Sequence, residues 1–137
     1  MSRLEDQLLI HEEYRRFPYK DSVGILTVAV GRNLDDVGIS KNEALYLLAN
    51  DVLKARNECV RTFTWFDDLD DVRQDAIVNM CFNMGINRLK TFRKMARAFS
   101  EKDYDEAAQQ ALDSKWANQV GRRSEDIIYM FITGEYP

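Results

Sequence analysis

The sequence contains few of the residues that mark several classes of protein. Its 137 residues include two cysteines, Cys59 and Cys81, two prolines and one histidine, His11. Two cysteines do not make a disulfide framework, and because both lie in apolar helical surroundings we predict buried free thiols. His11 lacks the second histidine of a zinc-protease helix, and no further ligands stand at zinc spacing beside the cysteines. We therefore predict that the protein uses no metal and no cofactor.

Long hydrophobic runs are also absent. No stretch approaches the roughly 20 apolar residues that cross a bilayer. The start, MSRLEDQLLIHEE, has no apolar core of signal-peptide length. We therefore expect a protein that is made in the cytoplasm, does not leave by a signal of its own and has no stable association with membranes.

The charged residues are mixed in sign, with a small acidic excess. Lysine and arginine number 19 against 23 aspartate and glutamate residues, for a formal net charge of −4. Such a chain has no general attraction to nucleic acid or other polyanions. Because 45% of the residues are apolar and 31% are charged, the composition predicts a single globular domain, residues 1–137.

The first part of the chain combines helix and strand patterns. Leu4, Leu8 and Leu9 have helical spacing within residues 2–13. The segment GILTVAVG, residues 24–31, holds branched residues between two glycines, which is typical of a strand. The turn residues KDSVG before it indicate a hairpin or small sheet.

The rest of the chain has only helix patterns. Ser40 and Glu43 have the spacing of a capping box, which predicts a long helix over about 40–60. Four more helices are predicted after Leu69, in DDVRQDAIVNMCFNMG, RLKTFRKMARAFS, DYDEAAQQALDSKW and SEDIIYMFITG. The predicted class is therefore α+β, with a small β-hairpin lobe (about 14–45) and a mostly helical large lobe (about 61–137 with the N-terminal helix), joined by the long helix.

The main candidate for chemistry is a pair of carboxylates around the first turn. Glu12 lies near the end of the first helix, Asp21 in the loop before the strand, and Thr27 on the strand. Two carboxylates with a placed water suffice for glycoside hydrolysis, in which one protonates the leaving oxygen and the other assists attack. The spacing alone does not separate such a pair from surface charge, since an acidic protein has many pairs eight or nine residues apart.

These segments together resemble the phage-type lysozymes, the muramidase endolysins typified by the T-even phage enzyme. YKDSVGILTVAVG is similar to that family's loop and hairpin, GISKNEALYLLANDV to its inter-lobe helix, and DDVRQDAIVNMCFNMG to the long buried helix of its large lobe. DYDEAAQQALDSKWANQVGRR is similar to the segment that ends in its tryptophan and arginines. The resemblance covers nearly the whole chain and implies a lysozyme-like two-lobed fold.

The resemblance implies roles for individual residues. Glu12 matches the general acid, Asp21 the second carboxylate and Thr27 the hydroxyl that helps to place water. The substrate-binding positions match Phe82, Asn83, Gln110, Met95 and Arg123, of which Arg123 matches the arginine that pairs with the acid glutamate.

The sequence departs from the family's pattern in several respects. Glu13 stands where the family usually has glycine, directly after the acid glutamate. The stretch RNLDDVG between the hairpin and the long helix is shorter than in the T-even enzyme. The chain is acidic, whereas many such enzymes are basic. A basic patch does occur, and for it a solvated helix face or a contact to anionic wall polymer is favoured over nucleic acid, because no reading motif accompanies it; it consists of Arg88, Lys90, Arg93, Lys94 and Arg97.

The function implied by the resemblance is hydrolysis of the β-1,4 bond between N-acetylmuramic acid and N-acetylglucosamine in peptidoglycan, with inversion. Inverting enzymes hold their two carboxyl groups roughly 6.5–9.5 Å apart. The expected protein is a monomeric endolysin that binds the glycan strand of the wall, not nucleic acid, and waits in the host cytoplasm until a separate membrane lesion releases it. Three alternatives stay open: a lytic transglycosylase on the same bond, a catalytically inactive wall-binding module and, more weakly, a nucleic-acid-binding protein.

Overall fold

The computed structural model describes residues 1–137, which form eight α-helices and one antiparallel sheet of order β1-β2-β3. The elements are α1 (Arg3–Glu12), β1 (Arg15–Lys20), β2 (Leu26–Ala29), β3 (Arg32–Asn33), α2 (Lys41–Thr62), a short 3-10 helix (Phe66–Asp68), α3 (Asp71–Met84), α4 (Ile86–Leu89), α5 (Arg93–Ser100), α6 (Tyr104–Leu112), α7 (Lys115–Val120) and α8 (Arg122–Thr133). The predicted α+β class is confirmed. No helix is both long and apolar enough to cross a bilayer.

The chain forms two compact units, Met1–Leu47 and Leu48–Pro137. The first contains α1, the sheet and the start of α2. In the sheet Thr27 is the central position, because it pairs with Tyr19 on one side and with Asn33 on the other. The predicted subdivision, with the N-terminal helix counted in the helical lobe, stays a prediction.

The apolar core lies in the second unit. Its largest fully buried side chains include Trp116, Phe66, Phe99 and Phe131, and the ring of Phe131 meets the ring of Phe99 edge-on with centroids 4.8 Å apart. Each aromatic side chain of this size removes about 150–250 Å² from water and so contributes strongly to the core.

The prediction of two buried free thiols is confirmed. Cys59 on α2 is fully buried and Cys81 on α3 is 4% exposed, and neither forms a disulfide. Burial raises the pKa of both thiols. Since the thiolate is the reactive form, both side chains act as small apolar groups of the core.

Most predicted helix boundaries are confirmed by their caps. At the start of α2 the Ser40 hydroxyl accepts the Glu43 amide at 3.2 Å, and the Glu43 carboxylate accepts the Ser40 amide at 2.9 Å. Helix α3 ends before Gly85 and α8 before Gly134, both with positive φ. Glycine adopts this conformation without the steric cost that a Cβ adds.

Two segments that the sequence predicts as single helices are each divided in two. The first breaks at residues 90–92, between α4 and α5, and the second at residues 113–114, between α6 and α7. At each break a hydroxyl donates to the carbonyl three residues earlier at 2.6 Å, from Thr91 in one case and from Ser114 in the other. These bonds compete with helix continuation, and Ser114 then caps α7.

Candidate active site

Glu12 is the last residue of α1, and its side chain lies against the turn between β2 and β3. A Cβ on Gly31 would lie only 3.0 Å from the Glu12 carboxylate oxygen Oε2. The absence of a side chain at Gly31 therefore allows the carboxylate to approach the hairpin. Glu12 also lines a cavity of about 420 Å³ whose other walls include the apolar side chains of Leu8, Leu9 and Val30.

Glu13 has an unusual backbone conformation directly after Glu12. Its φ of 60° and ψ of 141° lie in a region that residues with a Cβ rarely adopt, while its amide donates to the Leu9 carbonyl at 3.0 Å and so closes α1. Glycine would adopt this conformation at lower cost. The departure from the family's usual glycine therefore places a strained residue beside the expected acid.

Asp21 organises the turn between β1 and β2. Its Oδ1 accepts two backbone amides, from Val23 and Ile25, both at 2.9 Å, and its own amide donates to the Ile25 carbonyl at 2.9 Å. Two donors on one carboxylate oxygen fix the orientation of the group. No hydrogen bond occupies Oδ2, which stays available to accept a proton or a hydrogen bond.

Thr27 is 5% exposed and is the only buried residue of the Met1–Leu47 unit. Its hydroxyl donates to the Ile25 carbonyl at 2.9 Å. Because the proton is used in this bond, the hydroxyl oxygen presents its lone pairs, which accept hydrogen bonds. The backbone of Ile25 thus binds both Asp21, through its amide, and Thr27, through its carbonyl.

The three expected catalytic residues therefore all belong to one small unit and to one hairpin system. Asp21 lies at the turn that leads into β2, Thr27 lies within β2, and Glu12 lies against the turn that follows β2. All three side chains therefore lie in β2 or at one of its two ends. Their catalytic roles stay predictions.

Two of the expected substrate-binding residues, Phe82 and Arg123, line one cavity of about 480 Å³ in the Leu48–Pro137 unit. Phe82 is 44% exposed, and Arg123 is half-buried. Arg123 makes no ion pair with an acid of its own unit. The pairing of Arg123 with Glu12 that the resemblance implies stays a prediction.

The acid of this cavity is Asp75, which the sequence analysis did not single out. Arg56 donates to Asp75 Oδ1 at 2.6 Å, and the Tyr136 hydroxyl donates to Oδ2. That hydrogen bond raises the pKa of Tyr136. Asp75 thereby ties the end of the chain to α3 and α2.

Asn83 is exposed, and its Oδ1 accepts the indole N–H of the buried Trp116 at 2.8 Å. This bond satisfies the single polar group of the tryptophan and orients the asparagine amide. The amide N–H groups of Asn83 therefore remain as the donors that a ligand would meet.

Met95 and Gln110 lie together at a second cavity of this unit, of about 450 Å³. Met95 is 2% exposed and contributes only a small part of its surface, while Gln110 is half-buried and donates to Glu106 at 2.7 Å. We call this the basic cavity, because four cations line it: Arg88, Arg93, Lys94 and Lys115.

The structure brings together charges that the sequence analysis did not associate. Lys115 lies outside the patch of residues 88–97, yet it lines the same cavity, whereas Lys90 and Arg97 belong to that patch and do not. A serine helix cap directly before Lys115 was the available sequence signal, since it marks a helix start where the chain changes direction.

Comparisons with known proteins agree with the resemblance. A family model described as "Phage lysozyme" matches residues 10–128. The chain is similar to "Probable T4-type lysozyme 1" of Dictyostelium discoideum, at 26% identity. The alignment is 164 positions long and covers 98% of this chain and 96% of that protein. It is also similar to "Probable T4-type lysozyme 2" of the same organism, at 29% identity with the same coverage. All eight expected site residues fall inside the matched range.

Proposed function

The chain belongs to the phage lysozyme family, and from this premise we propose that it hydrolyses the β-1,4 bond between N-acetylmuramic acid and N-acetylglucosamine in peptidoglycan. A glycoside hydrolase of the lysozyme type is the class to which the family and its relatives belong. The observation that carries the finer proposal is that the backbone of Ile25 binds both residues: its amide fixes one oxygen of Asp21, and its carbonyl accepts the hydroxyl proton of Thr27.

In the proposed reaction two acceptors hold one water molecule. Asp21 Oδ2 and the lone pairs of Thr27 Oγ1 each accept one hydrogen of the water, so that its own lone pair is directed to the anomeric carbon. The water oxygen bonds to that carbon while the bond to the leaving oxygen breaks. Asp21 takes the proton of the water, and Glu12 gives its proton to the leaving oxygen.

The stereochemical outcome of this arrangement is inversion. Water attacks from the face opposite the leaving group because Asp21 acts through the water and forms no bond to the sugar. NMR of the freshly released sugar, before mutarotation, should show the α-anomer. Release of the β-anomer would overturn the proposed role of Asp21 as a base.

The first test is muropeptide release from purified peptidoglycan by wild type and by Glu12→Gln, with products identified by mass. Glu12→Gln should lower the rate by about 10²–10⁴-fold, because it removes the general acid. Glu13→Gln is a matched control, since it removes the neighbouring carboxylate at the same helix end and should retain activity.

The same products separate the proposal from its alternatives. Products with a reducing-end muramic acid support hydrolysis. Anhydro products would identify a lytic transglycosylase, which cleaves the same bond without water. Binding to the wall without release, in wild type and variant alike, would identify an inactive wall-binding module.

We further propose that this hydrolysis serves lysis of a bacterial host. This role rests on the family, because the description of the matching family model, "Phage lysozyme", names enzymes of phages. Purified protein should lyse bacteria whose outer barrier has been permeabilised, and Glu12→Gln should not. Lysis by both proteins at equal rate would point to an effect on membranes instead of the wall.

A further inference from the structure

The basic cavity concentrates positive charge within an acidic protein. Its four cations come from three helices: Arg88 from α4, Arg93 and Lys94 from α5, and Lys115 from the first residue of α7. No aspartate or glutamate lines it. The whole chain, by contrast, has a formal net charge of −4.

The four cations have no carboxylate partners. The ion pairs of the protein involve other arginines, and none of the four cations has a carboxylate oxygen within 4.0 Å. Arg88 donates to the neutral amide oxygen of Gln119 at 3.0 Å. Clustered like charges repel one another, so the arrangement lacks its counter-charge within the protein.

The two helix breaks create this cluster. The break at residues 90–92 separates Arg88 from Arg93 and Lys94, and it lets both sides face one cavity. The break at residues 113–114 places Lys115 at a helix start beside them. In two continuous helices of the predicted kind these cations would be spread along the helix surfaces.

We propose that the basic cavity binds phosphate groups of a phosphodiester-linked polymer. Arginine presents a fork of donors that matches a phosphate bidentately, and lysine adds compact positive charge. The hydroxyl donors at the cavity are already engaged, because Thr91 and Ser114 donate to backbone carbonyls, and one N–H of Gln110 donates to Glu106. Recognition is therefore by charge, which favours a ligand with repeated anionic groups.

The aromatic side chains at the cavity favour such a polymer over a nucleic acid as its ligand. Stacking of bases requires exposed aromatic faces, whereas Trp116 of the cavity is 1% exposed and Phe92 at its wall is partly buried. The chain as a whole has a formal net charge of −4, which gives it no general attraction to nucleic acid.

The test is calorimetric titration with a glycerol phosphate oligomer at 20 and 150 mM salt, with inorganic phosphate as the monomeric probe. Arg93→Gln with Lys94→Gln removes two cations of the cavity. Lys90→Gln with Arg97→Gln removes two cations of the same segment that do not line it. Both double variants change the net charge equally, and all four residues are exposed.

The cavity variant should lose about tenfold or more in affinity for the oligomer, since each removed group is a charge-assisted donor. The control variant should lose less than about threefold, as expected for screened surface charge. Lys115→Gln, from a different helix, should lose affinity as well, and it serves if the double variant does not fold. Inorganic phosphate should bind more weakly at the same residues.

Four results would overturn the proposal. They are equal losses in both double variants, no binding of the oligomer at 150 mM salt, equal binding of polyglutamate with the same number of charges, and tighter binding of a single-stranded DNA of that charge. Because the measurement is binding and not turnover, its failure leaves the proposed hydrolysis by Glu12 and Asp21 untouched.

Discussion

The structural role of Asp21 can be separated from its proposed catalytic role, because its two oxygens meet different surroundings. Oδ1 holds the turn through the amides of Val23 and Ile25, and Oδ2 is the proposed proton acceptor. Asp21→Asn keeps an oxygen for the two amides and removes the charge. We expect its free energy of unfolding to change by less than about 0.5 kcal/mol and its rate of muropeptide release to fall by about 10²-fold or more.

Asp21→Ala supplies the comparison. It removes the acceptor of the turn as well, so denaturant unfolding should show a further loss of about 1–2 kcal/mol. Two variants that are equally inactive but differ in stability would separate catalysis from folding. If Asp21→Asn were fully active, Asp21 would be a turn residue alone.

Glu13 is the residue at which substitution should stabilise the protein. Its φ of 60° and ψ of 141° cost a residue with a Cβ about 1 kcal/mol or more. Glu13→Gly should therefore raise the free energy of unfolding by about 0.5–1 kcal/mol, measured by urea denaturation. Glu13→Ala removes the charge and keeps the Cβ, so an equal gain from alanine would assign the effect to charge instead of backbone strain.

At the scale of elements, the sequence predicts a helix boundary correctly where it contains a capping box or a glycine that ends the helix. The capping box of Ser40 with Glu43 and the glycines at 85 and 134 mark such boundaries, and the structure has them. The two helix breaks were not predicted, because threonine and serine occur inside helices as well as at their ends. Strand β1, RRFPYK, was missed because it has no apolar alternation and contains a proline.

Some parts of the candidate site could be predicted from the sequence and others could not. The three expected catalytic residues lie in one short contiguous segment of the chain, so the resemblance could assign Glu12, Asp21 and Thr27 together. The basic cavity was not predictable as a cavity, because Lys115 reaches it only through a helix break. Asp75 was missed for a related reason: its partners Arg56 and Tyr136 come from distant parts of the chain.

The start of α2 is tied to the sheet by an ion pair whose loss with acid is predictable. Arg32 on β3 binds both oxygens of Glu43, at 2.7 and 2.5 Å. These hydrogen bonds with Arg32, together with those from Ser40, lower the pKa of Glu43 from 4.5 to about 2. The contribution of the pair to stability is therefore fully present above about pH 4.5 and is lost as the pH falls toward 2.

Urea denaturation of wild type and Glu43→Gln between pH 6 and pH 2 measures this contribution. The stability difference between the two proteins should be largest above pH 5 and should shrink toward pH 2. It should also shrink in 1 M salt, since both side chains are partly exposed. A difference that stays constant with pH would show that ionisation of Glu43 does not contribute to the stability of the protein.

On the scale of the whole molecule, the apolar core and the expected catalytic residues lie in different units. Every buried apolar side chain lies between Ala55 and Phe131, whereas Thr27 is the only buried residue of Met1–Leu47. A three-stranded sheet without a buried apolar face has little stability of its own. The hairpin with Asp21 and Thr27 therefore rests on hydrogen bonds rather than on a core.

Native-state hydrogen exchange should show this division directly. Amides of α3 should exchange only through global unfolding, while those of β2 should exchange through a local opening that costs at least about 2 kcal/mol less. Measurement by NMR in increasing urea, below the unfolding transition, gives both free energies. Equal values for β2 and α3 would show that the two units unfold as one.

Ligand binding should then leave a different pattern of protection for each site. A ligand that binds only the folded hairpin raises its opening free energy by about 2.7 kcal/mol at a hundred times its dissociation constant. A non-hydrolysed glycan fragment should therefore slow exchange in β2, and in α3 as well, because global unfolding also releases the ligand. A glycerol phosphate oligomer, bound at the basic cavity, should protect the amides around residues 88–94 and leave β2 unchanged. A glycan fragment that leaves β2 unchanged would contradict the proposed role of the hairpin, and an oligomer that protects β2 by itself would contradict the proposed role of the basic cavity.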